Sequence, residues 1–215
     1  MLCLLTGVNP LPVGLRYLGG MKPTEILSAE HRVIEQVLNC LEKMATQAEK
    51  TGTLDKASAT DAVNFFRTFA DQCHHGKEEA HLFPAMEAKG FPRNGGPTGV
   101  MLHEHEDGRN FVRGMAAAIE KEAVPAFVEN ARGFIGLLRQ HIEKEDHCLF
   151  SMADQAFDDT DQCRLLEAFE RVEHDHMGAG THEKFLKLAD SLAEKYGVAK
   201  VAAGGHKGHN CCGHH

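Results

Sequence analysis

Residues 141–150 read HIEKEDHCLF, and residues 74–83 read HHGKEEAHLF. Histidine, lysine, glutamate, leucine and phenylalanine coincide at five of the ten positions, and an acid follows the glutamate in both. Each copy carries a histidine and a glutamate four residues apart: His74 with Glu78, and His141 with Glu145. Four residues turn an α-helix through about 400°, so each pair shares one helix face. An ionised glutamate on a core-facing stripe is costly unless it is paired or bound to a metal. The repeat therefore puts two helices in equivalent roles around a polar interior.

Working outward from the repeat, apolar periodicity predicts four long helices. The first spans about 24–50, with Thr24 as N-cap and Gly52 beyond its end. Its stripe is Leu27, Ile34, Leu38, Leu41 and Ala45, and His31 falls inside it. The second spans about 58–89 and is kinked at Pro84. FPRNGGPTG, residues 91–99, reads as a loop. The third covers about 100–122, with stripe Met101, His105, Val112, Met115 and Ile119. The fourth starts at Pro125, a favoured first-turn residue, and runs to about 157. Its stripe is Phe127, Ala131, Phe134, Leu138, His141, Glu145, Cys148 and Met152. A fifth segment covers about 161–196 and is weakened near Gly178 and Gly180. Strand signals are absent. Long amphipathic helices joined by short loops predict an all-α fold, an up-down-up-down four-helix bundle with a C-terminal helical extension.

The division expected is an N-terminal arm (1–21), the bundle (22–157), the extension (158–197) and a His/Cys-rich tail (198–215). The first residues, MLCLLTGVNPLPVGLRYLGG, lack a basic leader and are broken by Pro10 and Pro12, which argues against a signal peptide. Met21 opens a segment that reads like a natural start, so the arm is expected to be disordered or an over-long start. The tail, with His206, His209, Cys211, Cys212, His214 and His215, has metal-binding composition. Incidental affinity of a disordered segment explains it equally well.

Net charge is −8 with histidines neutral, so a nucleic-acid partner is not expected. No apolar run is long enough for a membrane span. Seven scattered cysteines in a chain too large to need staples point to a reducing compartment, and hence to a cytoplasmic protein. Fifteen histidines demand an explanation, since imidazole is the commonest metal ligand.

The levels of the histidines supply one. His31 stands about 19 residues from the end of the first helix, and His74 about 16 from the start of the second. His105 stands about 17 from the end of the third, and His141 about 16 from the start of the fourth. At ~1.5 Å per residue these distances agree to within about one turn. In an antiparallel bundle all four histidines share one slab with Glu78 and Glu145. Four imidazoles and two carboxylates at one level match a dinuclear metal site. The ligand mixture suits iron, with manganese and zinc as alternatives.

The segments Glu30-His31, His74-His-Gly-Lys-Glu78-Glu, Leu82-Phe83-Pro84, His103-Glu-His105 and His141-Ile-Glu-Lys-Glu145-Asp resemble the hemerythrin-like (HHE cation-binding) family over roughly residues 24–157. The resemblance implies a bundle holding two non-haem iron ions. His31, His74, His105 and His141 would be terminal ligands, with Glu78 and Glu145 bridging. The oxygen carriers of the family have two histidines four apart on the third helix. Here Met101 and Arg109 flank His105 at that spacing, so the fifth imidazole is missing there. His75, next to His74, is a candidate to replace it, a surface or outer-shell histidine being the alternative. The carriers use an aspartate five residues after the fourth-helix histidine. Asp146 stands at that spacing, but about 500° of turn takes it off the face, so Glu145 is the better choice.

Glu79 and Asp146 are expected as solvated or outer carboxylates, His103 as outer or exposed, and Cys73 and Cys148 as core packing. His81, His147, His174, His176 and His182 are expected at the surface. The pattern looks closer to the di-iron sensor and stress-response branches than to the carriers. The function expected is reaction of a di-iron centre with oxygen, peroxide or nitric oxide, in stress response or sensing. Binding, storage or sensing of iron or oxygen without turnover is the alternative. A redox partner or a homodimer is left open.

Overall fold

The computed structural model describes residues 21–174 and 180–201. Expectations on the arm up to residue 20, on His176 and Gly178, and on the tail beyond residue 201 lie outside the described residues. No strand occurs among the described residues.

Helix α1 covers Pro23–Thr51. Pro23, not Thr24, opens it, because a first-turn proline has no N–H to lose. Thr24 instead lies in the first turn and bonds Asp154 at 2.7 Å. Gly52 ends α1 in the left-handed region at φ 69°, where its missing Cβ removes the strain. The second long helix begins as α2 (Lys56–Phe65), capped by Asp55. It continues in wider π winding over Phe66–His75 and Glu78–Leu82, then as α3 (Phe83–Ala88). The third is α4 (Pro97–Glu120). The fourth runs as α5 (Val124–Lys144), a π turn at Glu145–Leu149, and α6 (Phe150–Ala156). Two further helices follow among the described residues, α7 (Asp159–Val172) and α8 (Thr181–Tyr196).

The two halves of the repeat share a backbone feature. Phe83 N–H reaches back five residues to the Glu78 carbonyl, and Phe150 N–H reaches back five to the Glu145 carbonyl. Such π turns cluster at functional sites because they re-aim side chains. The second also corrects the expected stripe. Widened winding after Glu145 rotates Cys148 out of the core, and it is exposed.

Cross-helix pairs give the directions. Glu49 meets Arg132, Glu42 meets Arg139, Arg32 meets Asp146 and Thr24 meets Asp154, so α1 runs antiparallel to α5 and α6. Asp71 meets Arg109, Glu79 meets His105 and Glu87 meets Thr98, so the second long helix runs antiparallel to α4. Residues α4 and α5 bring together in the same sense include Glu104 with Lys144 and Gly114 with Asn130. Apolar side chains form two clusters. One gathers Ile34–Ala48, Ala59–Cys73, Val112–Ile119 and Phe127–Ile142. The other gathers Leu27, Leu82, Phe83, Met86, Met101, Leu149, Phe150 and Phe157, with Leu165 and Phe169 of α7. On every long helix the buried histidines and the glutamates Glu78 and Glu145 fall between the two clusters.

Helix α7 packs on α1 and on the turn Glu78–Leu82, whereas α8 packs on α1 and α2. Phe185, Ala189, Leu192 and Ala193 of α8 join the larger apolar cluster. Its last turn is tied down where Lys195 pairs with Asp55 at 2.5 Å.

A candidate metal centre between two apolar layers

His31, His74, His75, Glu78, His105, His141 and Glu145 are all buried, with exposures from 0 to 7%. They form two groups whose ligand atoms lie within 4.8 Å of one another: His31, His74, Glu78 and Glu145, and His75, Glu78, His105 and His141. The six residues singled out by sequence are thus brought together, and His75 joins them. Its ring stacks on that of His105 with centroids 3.8 Å apart.

The two glutamates span both groups. One oxygen of Glu78 lies 3.5 Å from His74 Nε2, and the other 3.5 Å from His105 Nε2. Glu145 Oε2 lies 3.3 Å from His31 Nε2 and 3.2 Å from His141 Nε2. The Nε2 atoms of His105 and His141 face each other at 3.1 Å.

Every imidazole is held from behind by a carboxylate at Nδ1. Asp146 holds His31 at 2.9 Å, Glu30 holds His74 at 2.9 Å and Asp71 holds His75 at 3.3 Å. Glu79 holds His105 at 2.7 Å and Glu104 holds His141 at 2.9 Å. An Nδ1–H donated outward leaves the Nε2 lone pair pointing inward, the tautomer a metal ligand needs. Each of these carboxylates is in turn held by a cation: Asp146 by Arg32, Glu30 by Lys77, Asp71 and Glu79 by Arg109, and Glu104 by Lys144.

These partners extend the repeat seen in the sequence. Glu30 precedes His31 on α1, and Glu104 precedes His105 on α4. Each reaches the repeat histidine of the following helix, and the lysine three residues after that histidine clamps it. The acid after each repeat glutamate links the two units, Glu79 to His105 and Asp146 to His31. The local pattern is Glu-His on one helix and His-x-x-Lys-Glu-acid on the next, used twice. Glu30, Asp71, Glu104 and the two lysines were missed by sequence reasoning, although the Glu-His dipeptides and the repeated lysine carry the signal. His75 breaks the symmetry, since Ile142 stands at the equivalent place.

The electrostatics favour added positive charge. Burial pushes Glu78 well up, and the neighbouring Glu145 carboxylate pushes it further. Burial acts upward on Glu145 too, but His141 and His31 outweigh it and hold it below the usual range. Burial drives His74 down to about 4 and His105 down to about 3. Against burial, Glu145 and Glu104 raise His141 to about 9. Around the centre, seven carboxylates face only four fixed cations. The Nε2 atoms of His31 and His74 and all four oxygens of Glu78 and Glu145 are buried without a hydrogen-bond partner. Buried polar atoms are rarely left so, and inward lone pairs on imidazole and carboxylate are what a cation takes up. The residues present therefore fit a metal centre.

A cavity of about 360 Å³ abuts one side of the centre at His75, His105 and His141. Phe66, Ala70, Val112, Phe134 and Leu138 supply its apolar wall, and Arg109 and Arg113 lie along it. Met101, one turn before His105 on α4, belongs to the opposite apolar cluster. The side at His31 is covered by Phe150, whose ring stacks on the imidazole at 5.4 Å. Of the remaining histidines, His103 and His147 are exposed as expected. His182 is half-buried, its ring 5.3 Å from that of Phe69, rather than at the surface. Cys73 is buried as expected.

Residues 22–153 match the family described as Hemerythrin HHE cation binding domain. Proteins of two Mycobacterium tuberculosis strains and of Mycobacterium bovis, each described as uncharacterized, are 23% identical over 173 residues, covering 77% of this chain and 67% of theirs. No solved structure matches. No described helix is long and apolar enough to cross a membrane.

Proposed function

This chain belongs to the hemerythrin HHE cation-binding family, and from that premise we propose that it holds two non-haem iron ions and turns them on a small oxidant or diatomic ligand. The reading takes the four long helices as an up-down-up-down bundle, with the centre between its apolar layers. His31 and His74 would hold one ion, and His75, His105 and His141 the other. Glu78 and Glu145 would serve both, because each lies within reach of histidines of both groups. The single observation that carries the reading is the orientation of five imidazoles, each with a carboxylate on Nδ1 and Nε2 turned inward.

A ferrous pair held there would supply electrons to oxygen or peroxide and an open position to nitric oxide. The residues of the chain set the terms. The outer carboxylates fix each ring and raise its basicity as a ligand. Apolar clusters above and below keep bulk water from the centre, and the cavity admits molecules of a few atoms. Anionic bridges and anionic outer partners favour the oxidised, more highly charged metal state. We therefore read the protein as reacting with oxygen, peroxide or nitric oxide rather than as a reversible oxygen carrier.

Metal analysis of the purified protein is expected to give two irons per chain. On anaerobic reduction and stopped-flow mixing with air, the expected result is rapid conversion to a stable oxidised spectrum, with consumption of added peroxide. Reversible oxygen uptake released under vacuum would restore the carrier reading. A protein that takes up no metal would remove the proposal altogether.

A further inference from the structure

Among the four cations that clamp the outer carboxylates, Lys77 is the one with no exposed surface. Arg32, Arg109 and Lys144 all keep part of their side chains in water. A fully buried ammonium is stable only with close counter-charges. Lys77 has two: Glu30, which holds His74, and Glu173, which comes from the turn after α7 and lies 2.6 Å away. Phe169 of α7 covers the ammonium from 5.8 Å. Glu30, Glu173 and His182 of α8 bring ligand atoms within 4.8 Å of one another, and the Lys77 ammonium bonds both carboxylates of that trio. A continuous chain thus runs from His74 through Glu30 and Lys77 to Glu173, from the centre into the C-terminal extension.

We propose that Glu173 is a positioning residue for the metal centre, so that docking of the C-terminal helices and occupation of the centre are linked. The inference rests on the metal reading above. With a cation on Nε2, the His74 ring becomes a stronger Nδ1–H donor and draws Glu30 onto it. Glu30 then fixes Lys77, and the fixed ammonium holds Glu173 and, through it, α7. The coupling is reciprocal by linkage. Without Glu173, Lys77 keeps one counter-charge and pulls Glu30 away from His74.

The test titrates anaerobic ferrous ion against a chromophoric chelator in the full chain, its Glu173→Gln variant and a Glu167→Gln control on the exposed face of α7. Glu173→Gln is expected to weaken ferrous binding about 5- to 10-fold, less than the 10- to 100-fold expected when an acid directly on a ligand histidine is lost. Glu167→Gln is expected to match the parent. Hydrogen exchange supplies a second readout: iron is expected to slow exchange in α7 of the parent and not of Glu173→Gln. Equal affinity of parent and Glu173→Gln, or exchange in α7 indifferent to iron, overturns the linkage while leaving the metal reading intact. No uptake by the parent overturns both.

Discussion

The ring of His75 stacks on that of His105 at 3.8 Å with 13° between the planes. Adjacent residues on a helix point about 100° apart, so His74 and His75 cannot serve one metal position from an ideal α-helix face. The π-wound stretch through Phe66–His75 carries both, and the two histidines enter different ligand groups. A fifth imidazole is thereby offered from the second helix. His75→Ala is expected to lower iron from two per chain towards one, by emptying the group of His105 and His141. Unchanged iron content and spectrum would assign His75 to the cavity wall instead.

Glu78 gives a prediction whose sign depends on metal. In the metal-free protein, burial and Glu145 raise its carboxyl well above the ordinary 4.5, so the folded state holds this proton to higher pH than the unfolded chain and loses stability as pH rises above 4.5. Glu78→Gln removes that cost and is expected to stabilise the metal-free protein by on the order of 1 kcal/mol. The gain should vanish as pH falls towards 4.5, where the unfolded chain is protonated as well. Iron reverses the sign: at 100-fold excess over Kd it should stabilise the parent by about 2.7 kcal/mol and the variant hardly at all. Thermal melts with and without iron decide it, and a variant less stable in both states would contradict it.

The fold was legible because the stripes on α1, α4 and α5 are regular, and His31, His105, His141 and Glu145 continue them inward. The level of the site followed from counting along helices. What escaped was governed by winding and by contacts between helices. A periodicity of 3.6 places Cys148 inside, but the π turn at Glu145–Leu149 carries it out. Glu30 and Glu104 sit beside ligand histidines and read as solvent-facing neighbours until the next helix brings His74 and His141 against them. Lys77 and Lys144 occupy equivalent places in the repeat, yet only Lys77 is buried, because α7 covers that side alone.

Asp55 couples the α2 cap to the last turn of α8. It accepts the Ser58 backbone N–H at 3.2 Å, Lys195 Nζ at 2.5 Å and the Tyr196 hydroxyl at 3.2 Å. The Lys195 ammonium leads in holding its carboxyl down at about 2, against an ordinary 3.8. A lowered carboxylate pKa stabilises the fold above the unfolded value, and that stability is lost as pH falls through the folded one. Docking of α8 is therefore expected to weaken between about pH 4 and 2. Asp55→Ala should cost about 1 kcal/mol at pH 7 through the lost cap and flatten this acid dependence. Circular dichroism across that range, with urea melts at each pH, checks it. An unchanged acid limb in the variant would place the transition elsewhere.

Gly108 lies on the cavity wall between Phe134 and Leu137. A Cβ built there would meet Phe134 at 3.6 Å and Leu137 at 3.9 Å, ordinary contacts that nothing must move to accept. Its backbone is helical, so alanine should be tolerated and should gain about 1 kcal/mol of helix propensity. A leucine is different, because its branched end has to enter the cavity beside the imidazoles of His105 and His141. Neither substitution replaces a proposed ligand or its outer carboxylate, so both variants should retain two irons. If small molecules reach the centre through this cavity, Gly108→Leu should slow the reaction of the reduced protein with nitric oxide on the order of tenfold, a barrier of ~1.4 kcal/mol. Gly108→Ala should react at the parental rate. Stopped-flow traces of the three proteins, normalised to iron content, separate access from loading. Parental rates in Gly108→Leu with full iron would mean that the ligand enters by another face, and the candidate would then be the side closed by Phe150.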